Sequence, residues 1–381
     1  MNILADDQTV VQRLLDHIDN KTTDLSEASW REPVENYRSP ARFAAELEQV
    51  LRRLPIPFCP AAALGEPGAY VARDAAGTPI LAVRGNDGEV RAFRNACRHR
   101  GTQLAAGSGC EKAFVCPYHG WTYGLDGALR HVPHEHGFLG LDKGARGLVP
   151  VACVERNGVV FVSQDATQLA DASLGALPPL LGPEWRLLVA AEREVPTNWK
   201  VFVEGFLEGY HILSTHPQTF YPLQFDNVNV IETYGRNSRI AFPYRAINKL
   251  RSLPPAEWNV DGKLTYVYHL FPNAMVATFP ANRFLVVVEP LAIDRSLLIT
   301  YVMAKEGAMP SSQASADGPR RGLDLVNDGG NEDRAVACGV QRGLASGANE
   351  FLEFGRFEGA IGHFHRNLHA LLDGAPSRNG R

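Results

Sequence analysis

The stretch CRHRGTQLAAGSGCEKAFVCPYHGWTYGLDG, residues 97–127, contains two cysteine–histidine pairs. Cys97 and His99 form the first pair, sixteen residues follow, and Cys116 and His119 belong to the second. Two thiolates and two imidazoles fill four coordination positions, so they suit a tetrahedral zinc ion. They also suit a [2Fe–2S] cluster, with both cysteines on one iron and both histidines on the other. The ligand types alone leave both metals open.

Short strands surround these pairs. Apolar and polar residues alternate in the runs AYVARD, PILAVRG and EVRAFRN, which AAGT and NDG turns separate. Further short strand-like runs follow at AFVCP, WTYG and GVVFVSQD. This pattern predicts a small antiparallel β domain over residues 56–165, in which loops carry the chemistry.

Length and composition exclude several classes of protein. The 381 residues suffice for two domains, and 45% hydrophobic with 21% charged residues is typical of a globular protein. A net charge of −4 gives no reason to expect nucleic acid or a membrane surface as a partner. The chain has no run of eighteen apolar residues, and its start lacks a basic stretch followed by an apolar core. We therefore expect no membrane span and a cytoplasmic protein.

Two further segments flank the β domain. Helical spacing in residues 8–20 and 40–53 predicts a helical segment over residues 1–55, which we expect to pack on the C-terminal domain. Residues 166–381 mix helical and strand-like runs and predict that second domain. Within it, the Gly-, Pro- and Ser-rich residues 307–322 predict a surface loop, with helices to follow at about 332–345 and 358–373.

A second group of polar residues lies in NWKVFVEGFLEGYHILSTHP, residues 198–217. Apolar residues on nearly all sides predict a buried helix over about 198–213. Glu204, Glu208 and His211 are four and three residues apart, so they form one polar stripe on it. Buried ionisable groups are costly unless they are paired or bind a metal, so the stripe predicts either a core network or a metal site.

A second histidine favours the metal. His216 follows His211 by five residues, or roughly 140° around a regular helix, so both can face one ion only if the turn deforms. Pro217 gives the helix a reason to end or unwind there.

Both stretches resemble the Rieske non-haem iron oxygenases, in particular the oxygenase (alpha) subunits of the aromatic-ring-hydroxylating dioxygenase family. The cysteine–histidine stretch is similar to the Rieske motif, including its glycines and Trp121. The pattern Glu-x2-His-x4-His after NWK resembles the family's iron motif. The resemblance implies a [2Fe–2S] cluster on the two cysteine–histidine pairs. It also implies a mononuclear Fe(II), held by His211 and His216 as two arms of a 2-His-1-carboxylate triad.

The resemblance also supplies the remaining site residues. NEDRAVACGVQRGLASG, residues 331–347, is similar to the family's C-terminal helix, so Asp333 matches the third iron ligand and Glu332 is the fallback. Glu208 falls where the family has a carboxylate that links the two metal centres. Many relatives have Asp there, and several that oxidise quaternary ammonium compounds have Glu. Gly205 replaces a common Asn, which should enlarge the space beside the iron.

The family fold is implied to be α+β, with an N-terminal antiparallel β Rieske [2Fe–2S] domain and a catalytic domain whose antiparallel sheet is wrapped by helices. Electrons are implied to arrive from an NAD(P)H-dependent reductase or ferredoxin, and O2 and a small organic substrate to react at the iron. We expect a homotrimer, in which Glu208 lies between His211 of its own chain and His119 of a neighbour.

The substrate is the open question. We expect aromatic-ring hydroxylation, as in aromatic hydrocarbon catabolism, because it is the family's commonest activity. Oxidative demethylation or hydroxylation of a quaternary ammonium compound is the alternative that Glu208 suggests. We expect Tyr266, Tyr268, Phe271 and Phe279 to line the substrate site. A Rieske electron carrier and a zinc-stabilised binding module are the rival functions.

One further pair of histidines is ambiguous. His365 and His369 lie four residues apart in the last predicted helix, so they could share a metal. With His363 and Arg366 nearby, a polar helix face is the interpretation that we favour.

Overall fold

The computed structural model describes residues 4–170, 172–305 and 319–374. The chain divides into two compact units. The small unit is Leu51–Pro183, and the large unit combines Met1–Val50 with Glu184–Arg381. The sequence had placed these limits at residues 56 and 166.

Residues 166–183 stay with the small unit because a turn at Asn157 and Gly158 holds them. The Asn157 side chain donates a hydrogen bond to the carbonyl of Leu177 at 2.6 Å. The Leu181 N–H donates to the carbonyl of Asn157 at 3.1 Å. Gly158 has a φ of +82°, and a Cβ there would lie 1.7 Å from the Leu181 oxygen, so only glycine permits this approach.

The N-terminal part of the large unit contains α1 (Asp7–Asn20), β1 (Trp30–Pro33), α2 (Glu35–Arg38) and α3 (Pro40–Ala45). The first helix confirms the prediction for residues 8–20. The predicted helix over 40–53 is shorter, because the chain continues after Ala45 as a π-helical turn, Glu46–Leu51. Glu46 points inward there, and both of its carboxylate oxygens lie 2.9 Å from the buried Lys200 ammonium.

The small unit is built from two antiparallel sheets. A seven-stranded sheet has the order β2-β11-β10-β5-β4-β3-β6, and a three-stranded sheet has the order β7-β8-β9. The loops after β5 and β7 carry the cysteine–histidine pairs. The strands are β2 (Ile56–Pro60), β3 (Ala69–Ala75), β4 (Thr78–Arg84), β5 (Val90–Arg94), β6 (Gly107–Cys110), β7 (Phe114–Val115), β8 (Thr122–Tyr123), β9 (Leu129–His131), β10 (Pro150–Arg156) and β11 (Val159–Ser163), and one short helix, α4 (Ala172–Gly175), follows them.

An antiparallel sheet also forms the centre of the large unit. Its seven strands have the order β12-β18-β17-β16-β15-β14-β13, and β1 pairs separately with β19. The strands are β12 (Trp185–Val195), β13 (Val230–Tyr234), β14 (Asn237–Pro243), β15 (Leu264–Leu270), β16 (Ala274–Thr278), β17 (Asn282–Ala292), β18 (Arg295–Lys305) and β19 (Phe351–Phe354). The α+β prediction of two β-rich domains, the second with helices on its sheet, is confirmed.

Helices cover this sheet. They are α5 (Trp199–Gly205), α6 (Ile212–Thr215), α7 (Pro319–Leu344) and α8 (Gly359–Asp373). Helix α5 packs on β17, and α1 and α8 pack on β13. Helix α7 begins well before the predicted residue 332, and the rest of the predicted loop, 307–318, lies outside the described residues. Within the described ranges, no helix combines the length and the apolar character that a membrane crossing requires.

Candidate metal centres

The first cysteine–histidine loop is closed by two backbone hydrogen bonds. The Cys97 N–H donates to the Thr102 carbonyl at 2.9 Å, and the Gly101 N–H donates to the Cys97 carbonyl at 2.9 Å. Gly101 has a φ of +81°, which favours glycine. This tight loop leaves His99 at its tip.

The second loop repeats the first. The Cys116 N–H donates to the Trp121 carbonyl at 2.8 Å, and the Gly120 N–H donates to the Cys116 carbonyl at 2.9 Å. Gly120 again has a positive φ, +72°. Two matching loops thus present two cysteines at their bases and two histidines near their tips.

The sulfur side of the site is buried. Cys97 is 4% exposed and Cys116 is 3% exposed. The Tyr123 hydroxyl accepts from the Arg98 N–H at 2.9 Å, so its own proton can point to the Cys97 sulfur, 3.3 Å away. Burial raises the pKa of the Cys116 thiol, and the neighbouring Cys97 raises it further, although backbone N–H groups point to its sulfur. Two apposed thiols in such a site suit a metal that takes both as thiolates.

The histidine side faces outward. The rings of His99 and His119 are 4.7 Å apart, and His99 stacks on Trp121 at 5.0 Å. His119 is exposed. The Nδ1 atom of His99 is buried and has no hydrogen-bond partner among the described residues. A buried imidazole nitrogen without a hydrogen-bond partner suits a metal ligand.

The predicted helix over 198–213 is broken, so that prediction was wrong. Helix α5 ends at Gly205, and α6 begins only at Ile212. Between them Glu208 accepts hydrogen bonds from the N–H groups of Tyr210 and His211, the latter at 3.1 Å. This carboxylate satisfies two backbone N–H groups of the turn and so stabilises the break before α6. A Cβ on Gly209 would lie 2.6 Å from Asn229 Oδ1 and 3.0 Å from the Phe242 ring, so close packing favours glycine there.

The two histidines flank α6: His211 lies immediately before it, and His216, with a non-helical backbone, lies immediately after it. The rings of His211 and His216 lie 5.1 Å apart. Asp333, from α7, faces both: its Oδ1 is 3.6 Å from His211 Nε2 and 2.9 Å from His216 Nε2. One donor atom from each of the three side chains lies within 4.8 Å of the others. His216 Nε2 is buried and has no hydrogen-bond partner of its own among the described residues.

Each of these histidines has a carboxylate on its other nitrogen. Glu208 Oε1 binds His211 Nδ1, and Glu332 Oε2 lies 2.7 Å from His216 Nδ1. Burial alone would lower the pKa of His211, but Glu208 and Asp333 outweigh it and raise that pKa. A histidine that ligates a metal usually has such a partner, which fixes its tautomer. The residues therefore fit a divalent iron, with Nε2 of each histidine toward the ion.

The two neighbouring acids of α7, Glu332 and Asp333, face different atoms. Asp333 faces the shared centre, whereas Glu332 faces His216 Nδ1 and accepts from the Thr219 hydroxyl at 2.6 Å. The sequence treated Glu332 only as a fallback ligand. Its position beside His216 was missed because 116 residues separate the two in the chain.

A cavity of about 180 Å³ opens beside the three candidate ligands. Gly205 lines it, and a Cβ there would meet nothing within 4 Å, in keeping with the expected extra space. The wall is largely apolar and includes six phenylalanines: Phe202, Phe206, Phe220, Phe242, Phe279 and Phe284.

Only one of the four aromatic residues expected in this wall, Phe279, lines it. Along β15 the side chains alternate, so Thr265 and Val267 face the cavity while Tyr266 and Tyr268 face away. The Tyr266 hydroxyl instead donates to Asp7 of α1 at 2.7 Å. Phe271 packs on Phe364 of α8, with the rings 5.9 Å apart. For these three residues the prediction was wrong.

Two family models match the chain. Residues 183–374 match the ring hydroxylating alpha subunit (catalytic domain) family. Residues 55–155 match the Rieske [2Fe-2S] domain family. This chain belongs to the Rieske non-haem iron oxygenases. It is a terminal oxygenase component with a Rieske [2Fe–2S] cluster and a mononuclear iron, which confirms the predicted family, enzyme class and cofactors.

Members of this family receive electrons from a reductase or ferredoxin. The bound iron is the group that activates O2. We propose that Cys97, His99, Cys116 and His119 hold the cluster, and that His211, His216 and Asp333 hold the mononuclear iron.

Named relatives share most of their length with this Rieske oxygenase. The carnitine monooxygenase oxygenase subunit of Acinetobacter baumannii is 31% identical over 287 residues, 72% of this chain and 75% of its own. The chloroplastic choline monooxygenase of Beta vulgaris is 28% identical over 359 residues, 88% of this chain and 76% of its own.

Solved structures show the shared fold. The quaternary ammonium Rieske monooxygenase CntA matches with a TM-score of 0.77 at 22% identity, covering 97% of this chain and 99% of that one. Naphthalene 1,2-dioxygenase from Rhodococcus sp. matches with a TM-score of 0.71 at 19% identity, with the same coverage.

Substitution of the two neighbouring acids of α7 tests the ligand assignment. Asp333→Ala should lower the iron content by one atom per chain and leave the cluster absorbance unchanged, because it removes a ligand. Glu332→Ala should weaken iron binding by roughly 10–100-fold, as loss of a ligand's carboxylate partner does, yet still fill the site at saturating iron. Iron analysis together with the visible spectrum measures both. Full iron in Asp333→Ala with an empty site in Glu332→Ala would reverse the two roles.

Proposed function

We propose that this Rieske oxygenase is a monooxygenase that acts on a quaternary ammonium compound. The observation that carries the proposal is the phenylalanine wall of the cavity beside His211, His216 and Asp333. A quaternary ammonium group has no N–H to donate, so hydrogen-bonding side chains cannot hold it. Aromatic ring faces attract it instead, through their negative quadrupoles.

The rest of the wall adds little negative charge. Glu208 and Asp333 face His211 and the candidate iron site, and the charged side chain that the described lining adds to them is that of Arg334. Attraction of a cation therefore depends on the aromatic ring faces.

The relatives point to the same chemistry. Carnitine and choline monooxygenases are among the proteins that match most of this chain. Glu208, at the position where several relatives of this kind have Glu, supports the same assignment.

An aromatic substrate is the second candidate, and the wall also supports it. Between the phenylalanines the sheet contributes small apolar side chains, Val267, Ala277, Val286 and Leu298. A flat uncharged ring fits such a surface through apolar contact alone. The two candidates differ in one respect: only the quaternary ammonium compound depends on positive charge.

A comparison of charged and uncharged isosteres separates the candidates. Choline and its tert-butyl analogue 3,3-dimethylbutan-1-ol have almost the same shape, but only choline is a cation. A desolvated cation–π contact contributes about 2 kcal/mol, so kcat/KM should favour the cation by roughly 30-fold. Carnitine, glycine betaine and naphthalene complete the panel, and product formation with a surrogate reductase is the readout. Turnover of naphthalene, with no preference between the isosteres, would establish the aromatic candidate instead.

Two matched variants test whether the phenylalanine wall of the cavity causes the preference for the cation. Phe279→Leu keeps an apolar side chain in the cavity but removes a ring face, so it should reduce the preference for the cation. Phe351→Leu removes a ring that packs on Arg31 and does not line the cavity, so the preference should stay as in the wild type.

We also propose that the electron reaches the iron by way of Glu208 in a homotrimer, from the cluster of a neighbouring chain. Two features support this route. Glu208 already binds His211 on one side. His119, the proposed cluster ligand that would meet Glu208 of a neighbour, is exposed on the small unit.

Glu208→Gln tests this route. The variant should bind both metals and remain a trimer, but electron transfer to the iron should stop, because an amide does not reproduce the carboxylate bridge. When the pre-reduced variant is mixed rapidly with substrate and O2, its cluster should stay reduced while that of the wild type is oxidised. Fast reoxidation with normal product yield would contradict the bridge, and an active monomer would contradict the route between subunits.

A further inference from the structure

A second group of metal-binding side chains lies in the large unit, apart from the iron triad. His365 and His369 of α8 meet Glu32 of β1, and one donor atom from each lies within 4.8 Å of the others. The polar helix face predicted for the two histidines is wrong. His365 and Glu32 are fully buried, and the His369 side chain is 26% exposed.

Hydrogen bonding fixes the proton of His365. Its Nε2 lies 2.9 Å from a carboxylate oxygen of Glu204, which also accepts from the Tyr37 hydroxyl at 2.6 Å. An ionised carboxylate only accepts, so Nε2 of His365 carries the hydrogen. In the neutral ring, Nδ1 then carries a lone pair and no hydrogen.

That lone pair has no hydrogen-bond partner. His365 Nδ1 is buried and unpaired among the described residues, and it faces a carboxylate oxygen of Glu32 at 3.4 Å. Two acceptors that face each other repel unless positive charge lies between them. A second proton on His365 would provide the charge as an ion pair with Glu32 at 3.4 Å, but its N–H would still lack a hydrogen-bond acceptor in suitable geometry. A metal ion provides the charge and needs no such acceptor.

The His365–Glu32 distance suits a metal ion. Zinc binds nitrogen and oxygen ligands at about 2.0–2.2 Å, so tetrahedral ligands lie about 3.3–3.6 Å apart. His365 Nδ1 lies 3.4 Å from a Glu32 oxygen, within that range. His369 Nε2 makes a hydrogen bond of 3.0 Å to the same oxygen, and a metal ion would replace that bond with a slight widening of the pair. Two histidines and one glutamate, with a fourth position for water, are a common zinc ligand set.

Neighbouring side chains form hydrogen bonds to two of the proposed ligands, His365 and Glu32. Glu204 binds the far nitrogen of His365. The Glu32 carboxylate accepts from the Trp30 indole at 3.0 Å and from the Asn36 side chain at 2.7 Å. Metal sites usually have such a second layer, in which a carboxylate supports each ligating histidine and further donors support each ligating carboxylate.

We propose that Glu32, His365 and His369 bind a divalent transition metal, zinc by preference. The ion would join β1 to α8 and, through Glu204, to α5, which leads into the turn with Glu208. Its role would be to stabilise the large unit, since an ion that binds only the folded state raises its stability. This proposal is independent of the substrate.

Zinc titration of the iron-loaded protein tests the site. Equilibrium dialysis with zinc, followed by analysis of both metals, should find one zinc per chain in addition to the full iron content. Zinc should also raise the melting temperature. His369→Gln removes the most accessible ligand, so it should weaken zinc binding by at least roughly 10-fold and abolish the thermal shift, with unchanged iron. His363→Gln is the matched control, because His363 lies on the same helix but bonds the Gly235 carbonyl.

Other outcomes overturn the proposal. These are an absence of zinc binding in the wild type, equal zinc affinity in the wild type and His369→Gln, and zinc uptake that displaces iron one for one. If His369→Gln does not fold, anomalous scattering at the zinc edge from wild-type crystals decides. A peak among Glu32, His365 and His369 supports the site, and its absence at saturating zinc contradicts it.

Discussion

The pairing of a carboxylate with one nitrogen of an imidazole is the interaction on which the catalytic unit depends. It occurs in Glu208–His211 and Glu332–His216. A neutral imidazole has one donor and one acceptor nitrogen, so a carboxylate on Nδ1 turns the lone pair of Nε2 toward the shared centre. Two lone pairs and the Asp333 carboxylate would then supply three ligands to an iron ion and leave further coordination positions open for O2, as in a 2-His-1-carboxylate site.

Backbone geometry is arranged around that pairing. A longer regular helix would turn His211 and His216 away from each other, but α6 spans only the four residues between them and His216 has a non-helical backbone. Glu208 accepts from backbone N–H groups of the turn before α6 and also binds His211 Nδ1, so one carboxylate both stabilises the break and sets the tautomer. On the small unit, paired backbone hydrogen bonds and glycines with positive φ hold the two cysteine–histidine loops in their tight turns.

What the sequence predicted well was local. The α1 helix, the short strands of the small unit and the closeness of His211 to His216 each depend on residues near one another in the chain. What it predicted poorly depended on distant partners. The inward direction of Thr265 and Val267, rather than Tyr266 and Tyr268, is set by which face of the sheet borders the cavity, and alternation alone does not say which.

Contacts between residues far apart in the sequence also limited how well the metal sites could be predicted. A resemblance to the family identified Asp333 and left Glu332 as its alternative, and only the folded chain showed that the two acids face different atoms. No sequence pattern marked Glu32 as part of a site, because its partners His365 and His369 lie more than 330 residues away in the chain. Helical spacing brought the two histidines together, but the acid that completes the group comes from the opposite end of the chain.

Mössbauer spectroscopy of protein grown on 57Fe tests most directly whether both iron centres exist as described. A [2Fe–2S] cluster with cysteines on one iron and histidines on the other should give two unequal ferric doublets of equal area in the oxidised protein. The mononuclear site should add a high-spin ferrous doublet with half the combined area of the cluster irons. A spectrum of cluster iron alone would contradict the His211–His216–Asp333 centre. Protein that contains zinc and no cluster iron would contradict the account as a whole.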